Sequence, residues 1–313
     1  MSVPVTVDNF VRAESDRMFA ALQADAGGVN VFRHNRTPTA VDEQTVIRMN
    51  RDTLYSFVVA DISAGATVTV PDSGDRYLSV MVVNQDHYIN GVFHEPGRHE
   101  LTVEAFDTPW VLVAVRVLVA ADDPADVAAV NAIQDRFGFE AGSAQPFELP
   151  DYETASFDAT RKAVLELAKH VGSFDHAFGA RDEVDPVRHL VGTAAGYGGL
   201  PDREARYLSV EPGEAAGEYE LTVRDVPVDG FWSISVYNAD GFFEPNDRDA
   251  YSVNNLTATP NGDGSVTIHF GGCGDGRPNC LPITAGWNYT VRLYRPRADV
   301  LDGSWTFPGV EPV

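Results

Sequence analysis

The sequence predicts a mainly β protein: two jelly-roll-like or sandwich-like antiparallel β-domains related by internal duplication, with an N-terminal helix and a helical insert. Three observations carry this. First, residues 77–88 read YLSVMVVNQDHY and residues 231–242 read FWSISVYNADGF. At a constant offset of 154, Ser79/Ser233, Val82/Val236, Asn84/Asn238 and Asp86/Asp240 coincide, and Val80/Ile234 and Tyr88/Phe242 are similar. Second, weaker echoes flank this pair in the same chain order. Asp52 and Tyr55 stand like Glu204 and Tyr207, Thr67-Val68 like Thr222-Val223, and Glu100 to Val103 like Ser265 to Ile268. Val115-Arg116-Val117-Leu118 stands like Val291-Arg292-Leu293-Tyr294. So long a period argues for a duplicated domain rather than a solenoid of small repeats. Third, the apolar runs are short, alternate and are separated by turn residues, the pattern of sandwiches and jelly rolls. A duplicated element belongs to the scaffold, so function is to be sought where the copies differ.

The elements follow in order. Phe10, Val11, Met18, Phe19 and Leu22 recur at helical spacing over 8–24, with Asp8 as the expected N-cap and Gly27-Gly28 as the stop. Strands are expected near 54–61, 66–70, 76–84, 99–104 and 110–119. The last is apolar on both faces, as in a central strand. A helix begins at Asp123-Pro124, a Gly, Pro and Ser-containing loop covers 138–157, and a second helix covers 158–171. The run from His189 to Pro201, with Gly192, Gly196, Gly198 and Gly199, reads as a tight connector. Strands resume near 206–210, 218–224, 230–238, 253–259, 265–271 and 287–295, with a turn at Asn261-Gly262-Asp263-Gly264. The expected domains are 1–121 for the helix and first β-domain, 122–190 for the insert, and 191–313 for the second β-domain.

Composition narrows the function. The 313 residues are 44% hydrophobic, enough for two real cores. The net charge is −23, and only Lys162 and Lys169 are lysines. Such a surface repels phosphates, so neither nucleic acid nor a membrane surface is an expected partner. No apolar run is long enough to span a bilayer. No secretory leader is evident, so the cytoplasm is the default compartment. A homo-oligomer is admitted but not specified. Cys273 and Cys280 have the spacing to close a small loop, although a cytoplasmic setting argues against it.

Arg48-Met49-Asn50-Arg51-Asp52-Thr53-Leu54-Tyr55 resembles the signature of the bacterial domain of unknown function numbered 1254. Gly230 to Asn238, Asn279-Cys280-Leu281-Pro282, Trp287 to Pro296 and Leu301 to Pro308 resemble that of its C-terminal companion, numbered 1214. Longer members have Trp where this chain has Cys280, so it resembles a short, cytoplasmic-type branch. The resemblance implies two jelly-roll-like domains and no secure activity; loose hydrolase labels are its only functional hint.

The candidate chemistry is scattered. Arg116 shares a strand face with Leu112 and Ala114, so it is expected to be buried and to need a carboxylate. Asp86 is the expected partner, with Asp240 and Arg292 as the second copy's version. His87 faces Gly241 in the repeat, and His is the natural general base near neutral pH. The expected catalytic set is therefore His87, Asp52 and Asp86, with Asn50, Arg51, Tyr55 and Asn84 as ligand-binding residues. Asn254, Asn255 and Tyr251 are candidates for a polar groove between the domains or for capping a β-turn. Asp86, His87, His94 and His99 are metal-ligand types but match no spacing motif, so no metal site is assigned, and the cofactor is unknown. No nucleophile elbow, Walker loop or His-Glu-x-x-His is present. The leading reading is a hydrolase of a polar ester, amide or glycan-type substrate, with its site on the first β-domain or in the cleft between the domains. The alternative is a non-catalytic carbohydrate or small-molecule binding module, with Trp232, Trp287, Trp305 and Tyr197 as platform candidates.

Overall fold

The computed structural model describes residues 2–44, 47–212 and 217–313. Its elements are α1 Phe10–Ala26, β1 Arg33–His34, β2 Thr53–Asp61, β3 Ala66–Val70, β4 Leu78–Asn84, β5 Ile89–Phe93 and β6 Gly97–Leu101. Then come α2 Val103–Phe106, β7 Trp110–Leu118, α3 Pro124–Gln134, β8 Gly138–Ala141, α4 Thr154–Ala168 and α5 Pro186–Ala195. The remainder is β9 Ala205–Val210, β10 Tyr219–Val223, β11 Trp232–Tyr237, β12 Ser252–Asn254, β13 Val266–Phe270, β14 Cys280–Leu281, β15 Asn288–Tyr294, α6 Ala298–Leu301 and β16 Glu311–Pro312.

The duplication is visible strand by strand. One sheet runs β1-β2-β7-β4-β5, and its counterpart reads β9-β15-β11-β12. The opposing sheets are β8-β3-β6 and β16-β10-β13-β14. The pairing registers agree to the residue. Ser79 lies across from Arg116 and Val80 from Val115, just as Ser233 lies across from Arg292 and Ile234 from Val291. The turns agree as well. The Asn84 side chain accepts from the Asp86 and Tyr88 amides, and the Asn238 side chain accepts from the Asp240 and Phe242 amides. An Asx turn of this kind gives Asn the same local role in both copies, and Asn84 Nδ2 donates in addition to the Phe106 carbonyl at 3.1 Å.

Contacts group the chain into two compact units. The first takes the chain through Arg36, then Leu54–Val117 and Ala129–Asp202. The second takes Thr37–Thr53, Leu118–Ala128 and Arg203–Val313. The segment carrying Asn50, Arg51 and Asp52 thus groups with the second β-region, whereas the sequence boundaries put it in 1–121. Most of the expected insert groups with the first unit.

In the second unit, Ile234, Val236, Val291 and Leu293 meet Leu221, Val223, Ile268 and Phe270 in one sandwich core. Trp287 and Trp232 are buried there and Trp305 packs against it, so none forms an exposed platform. In the first unit, Phe10, Ala13, Phe157, Val164, Val191 and Ala194 join α1, α4 and α5.

Local differences from the sequence reading have simple causes. Helix α1 starts after Asn9, not Asp8; the Asn9 side chain accepts from the Thr6 amide instead of capping the helix. Helix α5 occupies much of the expected connector: Asp185 caps it through the Val187 and Arg188 amides, and Pro186 opens it. The 261–264 turn is present, but it links strands of different sheets rather than a hairpin. Cys273 and Cys280 form a disulfide. Among the described residues, no helix is long and apolar enough to cross a membrane.

Candidate functional site

Strand alternation gives each copy an inner face toward its sandwich core and an outer face. The outer face of β4 and β7 carries Ser79, Met81 and Val83 opposite Arg116, Ala114 and Leu112. The outer face of β11 and β15 carries Ser233, Ser235 and Tyr237 opposite Arg292, Thr290 and Asn288. The Ser/Arg pair is common to both. The other four positions change from wholly apolar to wholly polar. Tyr294 and Asn254 extend the polar side of the second copy. Such a face normally meets water, yet all of these residues are buried.

Arg292, 3% exposed, is the centre of this face. Its Nη1 donates to Ser235 Oγ at 2.9 Å. Its Nη2 donates to the Arg48 carbonyl at 2.7 Å and to Tyr237 Oη at 2.8 Å. Tyr237 in turn donates to the Met49 carbonyl. Burial works against the Arg292 charge, but Tyr237, Tyr294 and Asp52 outweigh it and raise its pKa, keeping the cation. The expected Asp240 partner is absent because Asp240 is exposed in its turn.

Asp52 is 1% exposed and belongs to this cluster. Its Oδ1 accepts from Asn254 Nδ2 at 3.1 Å, and its amide donates to Asn50 Oδ1 at 2.9 Å. Its Oδ2 is buried without a hydrogen-bond partner. The same holds for Ser233 Oγ, Thr290 Oγ1 and Asn288 Oδ1. Ser79 Oγ, the first copy's equivalent of Ser233 Oγ, is unmatched too, so Asp52 Oδ2, Thr290 Oγ1 and Asn288 Oδ1 are the open atoms that distinguish the second copy; each costs about 1–3 kcal/mol and calls for an explanation. Asn50 also donates to Thr53 and to Tyr294 Oη. Asn254 caps its turn through the Leu256 amide and also donates to Asp52, a partner that the sequence did not suggest. At the strand ends a cavity of about 10 Å³, room for one water, is lined by Tyr237, Asn238, Asn246, Tyr251 and Thr284. Arg51 lies over the Tyr251 ring at 5.4 Å and pairs with Asp122 at 3.6 Å.

The other predicted residues belong to the first unit and do a different job. His87 is fully buried, at φ +60°, where the second copy has Gly241 at +85°. A non-glycine residue there costs roughly 1–2 kcal/mol. The ring repays this by fastening the loop after α5. The Gly198 amide donates to His87 Nε2 at 2.9 Å. Nδ1 therefore carries the proton and donates to Thr193 Oγ1 at 2.8 Å, which donates to the His189 carbonyl. Tyr197 stacks on the ring at 4.3 Å. Burial, helped by the His189 charge, pushes the His87 pKa well below 6.5. Both ring nitrogens are thus committed, and the neutral ring is a clamp rather than a free base.

Asp86 does not pair with Arg116, nor does its carboxylate orient His87. It binds Arg12 at 2.7 Å on the surface. Arg116 instead donates to the Gly198 carbonyl at 2.7 Å and lies over the Tyr55 ring at 5.3 Å. Asn84 caps its turn. His94 bonds the Leu78 carbonyl, and His99 stacks on Phe93 at 4.3 Å. Among the described residues, no group of three His, Cys, Asp or Glu side chains is placed to hold a metal.

Sequence reading missed Ser233, Ser235, Thr290 and Asn288. Their signal was a polar alternation free of Lys, Asp and Glu, unlike a solvated strand face, which carries charge.

Residues 29–100 match the family described as "Protein of unknown function (DUF1254)", and residues 209–298 match "Protein of unknown function (DUF1214)". No curated protein matches the chain. The fold is similar to that of the VPA0106 protein from Vibrio parahaemolyticus, with a TM-score of 0.73 at 17% identity, over 98% of this chain and 97% of that one. It is also similar to an uncharacterized protein from Burkholderia cenocepacia, with a TM-score of 0.54 at 14% identity, over 97% of this chain and 88% of that one.

Proposed function

We propose that this chain, which pairs a DUF1254 region with a DUF1214 region, binds a small polar molecule on the β11–β15 face without hydrolysing it. One observation carries the reading. The same sheet, built twice in the same register, is apolar at Met81, Val83, Ala114 and Leu112, but polar at Ser235, Tyr237, Thr290 and Asn288. The first copy demonstrates that the scaffold does not need those polar groups. Arg292 matches Ser235 and Tyr237, whereas Thr290 Oγ1 and Asn288 Oδ1 are left open; buried polar groups are costly unless matched, so a guest accounts for the open ones. Asp52 Oδ2 is the site's strongest unfilled acceptor.

Hydrolysis is the weaker reading because its expected parts are dispersed. His87 has no free nitrogen, Asp86 is held by Arg12, and Asp52 groups with the other unit. The test is a calorimetric screen of small polar metabolites, run beside a screen of chromogenic esters, amides and glycosides. Saturable binding is expected, weakened at least tenfold by Asp52→Asn, with no turnover. Turnover that disappears in His87→Gln would overturn the proposal. So would a broad panel in which nothing binds.

A further inference from the structure

The hydrogen-bonding capacity left open on this face specifies a class of guest; this step rests on the binding reading above. The four unmatched atoms are Asp52 Oδ2, Asn288 Oδ1, Ser233 Oγ and Thr290 Oγ1. The first two can only accept, and the two hydroxyls can accept or donate. A guest must therefore bring donors. An anion is the wrong match, because the Arg292 donors already serve Ser235, Tyr237 and the Arg48 carbonyl. A cation is also the wrong match: Asp52 and the permanently charged Arg292 make the cluster neutral, and a second positive charge would lie beside a buried guanidinium.

We infer that the face takes an uncharged polyhydroxylated molecule, a short polyol or a sugar presenting consecutive hydroxyls. Hydroxyl groups meet both kinds of open atom: one donates to Asp52 or Asn288, and the next both donates and accepts at Ser233 and Thr290. The spacing suits a chain of hydroxyls. Ser233 and Thr290 are diagonal neighbours on the sheet, because Ser233 lies across from Arg292 and Ser235 from Thr290. Diagonal neighbours stand ~7–8 Å apart at the backbone, within reach of a three- to four-carbon polyol. Asn288 continues the row by one more step, toward the cavity at the strand ends. That cavity has room for one water, and residues 48–52 are not among its lining.

The experiment is titration calorimetry on the intact protein with glycerol, erythritol and xylitol, beside propylammonium and acetate as charged probes. Affinity is expected to rise along the polyol series, and Ser233→Ala and Thr290→Val are each expected to weaken the best polyol about tenfold. Neither side-chain oxygen hydrogen-bonds Arg292, and unchanged thermal melting verifies the fold. Binding of propylammonium or acetate in place of the polyols would overturn the ligand class while leaving the binding reading intact. Silence of every probe, with a high-resolution structure holding only ordered water on Asp52 Oδ2 and Ser233 Oγ after a polyol soak, would overturn the class and turn these acceptors into water sites.

Discussion

The two copies solve one problem differently. Each buries an arginine on a central strand opposite a serine, and each lays a loop over that face. In the first copy Arg116 donates to the Gly198 carbonyl, and the His87 ring holds the same residue by its amide. In the second copy Arg292 donates to the Arg48 carbonyl, and the Arg48 amide donates to the Gly241 carbonyl. The turn residue equivalent to His87 is thus glycine where backbone alone does the fastening. A Cβ on Gly241 would lie 3.3 Å from Ile47 Cβ, so that contact leaves little room for a side chain. His87 is accordingly a fastening device, and the polar variation lies on the other sheet. The lesson is that divergence marks function only after the structural use of each divergent residue is known.

The comparison is broken most strongly at the arginines. Arg292→Ala strands Asp52 and several buried acceptors and is expected to cost about 3–5 kcal/mol. Arg116→Ala sits on a mostly apolar face and is expected to cost about 1–3 kcal/mol. Urea denaturation of both variants measures the difference, and equal costs would mean that the two faces are energetically alike.

His87 comes next. Its folded pKa is depressed, so the unfolded chain takes up a proton below about 6.5 that the folded chain refuses. The stability present above that pH is lost as pH falls below it, by up to about 1.4 kcal/mol per pH unit, until the folded value is reached. His87→Gly relieves the left-handed strain but releases Gly198; about 1–2 kcal/mol of destabilisation at neutral pH is expected. The acid sensitivity between pH 6.5 and 5 should shrink with it. A variant with an unaltered pH slope would refute the clamp.

The smallest effects belong to the turn carboxylates. Asp86→Ala loses a surface pair with Arg12, worth at most about 1 kcal/mol, and Asp240→Ala should be neutral within about 0.5 kcal/mol. A loss of several kcal/mol in either would revive a buried carboxylate–arginine clamp.

Much of this was legible in the sequence. The repeat named both central strands and aligned Ser79 with Ser233 and Arg116 with Arg292, but the pairing of 79 with 116 and of 233 with 292 appears only in the structure. The burial of Arg116 followed from Leu112, Ala114 and Leu118 on its strand face; Arg292 entered only as its counterpart in the repeat, because its own face neighbours, Asn288 and Thr290, are polar. The partners of the two arginines did not follow, because the acceptors are backbone carbonyls of Gly198 and Arg48, which no side-chain pattern announces. The Asn50 to Asp52 cluster was recognised as polar and special. Its grouping with Asn254 and Tyr294 depends on chain crossing between elements some 200 residues apart. His87 was singled out correctly as divergent, but only the positive φ of its turn reveals why Gly stands at 241.

The most direct test of the central claim is a crystal structure at atomic resolution, grown without polyols and then soaked with xylitol. The account predicts density bridging Asp52 Oδ2, Ser233 Oγ and Thr290 Oγ1 that is lost in Asp52→Asn. A face whose acceptors are closed by protein groups, in both crystals, would contradict it.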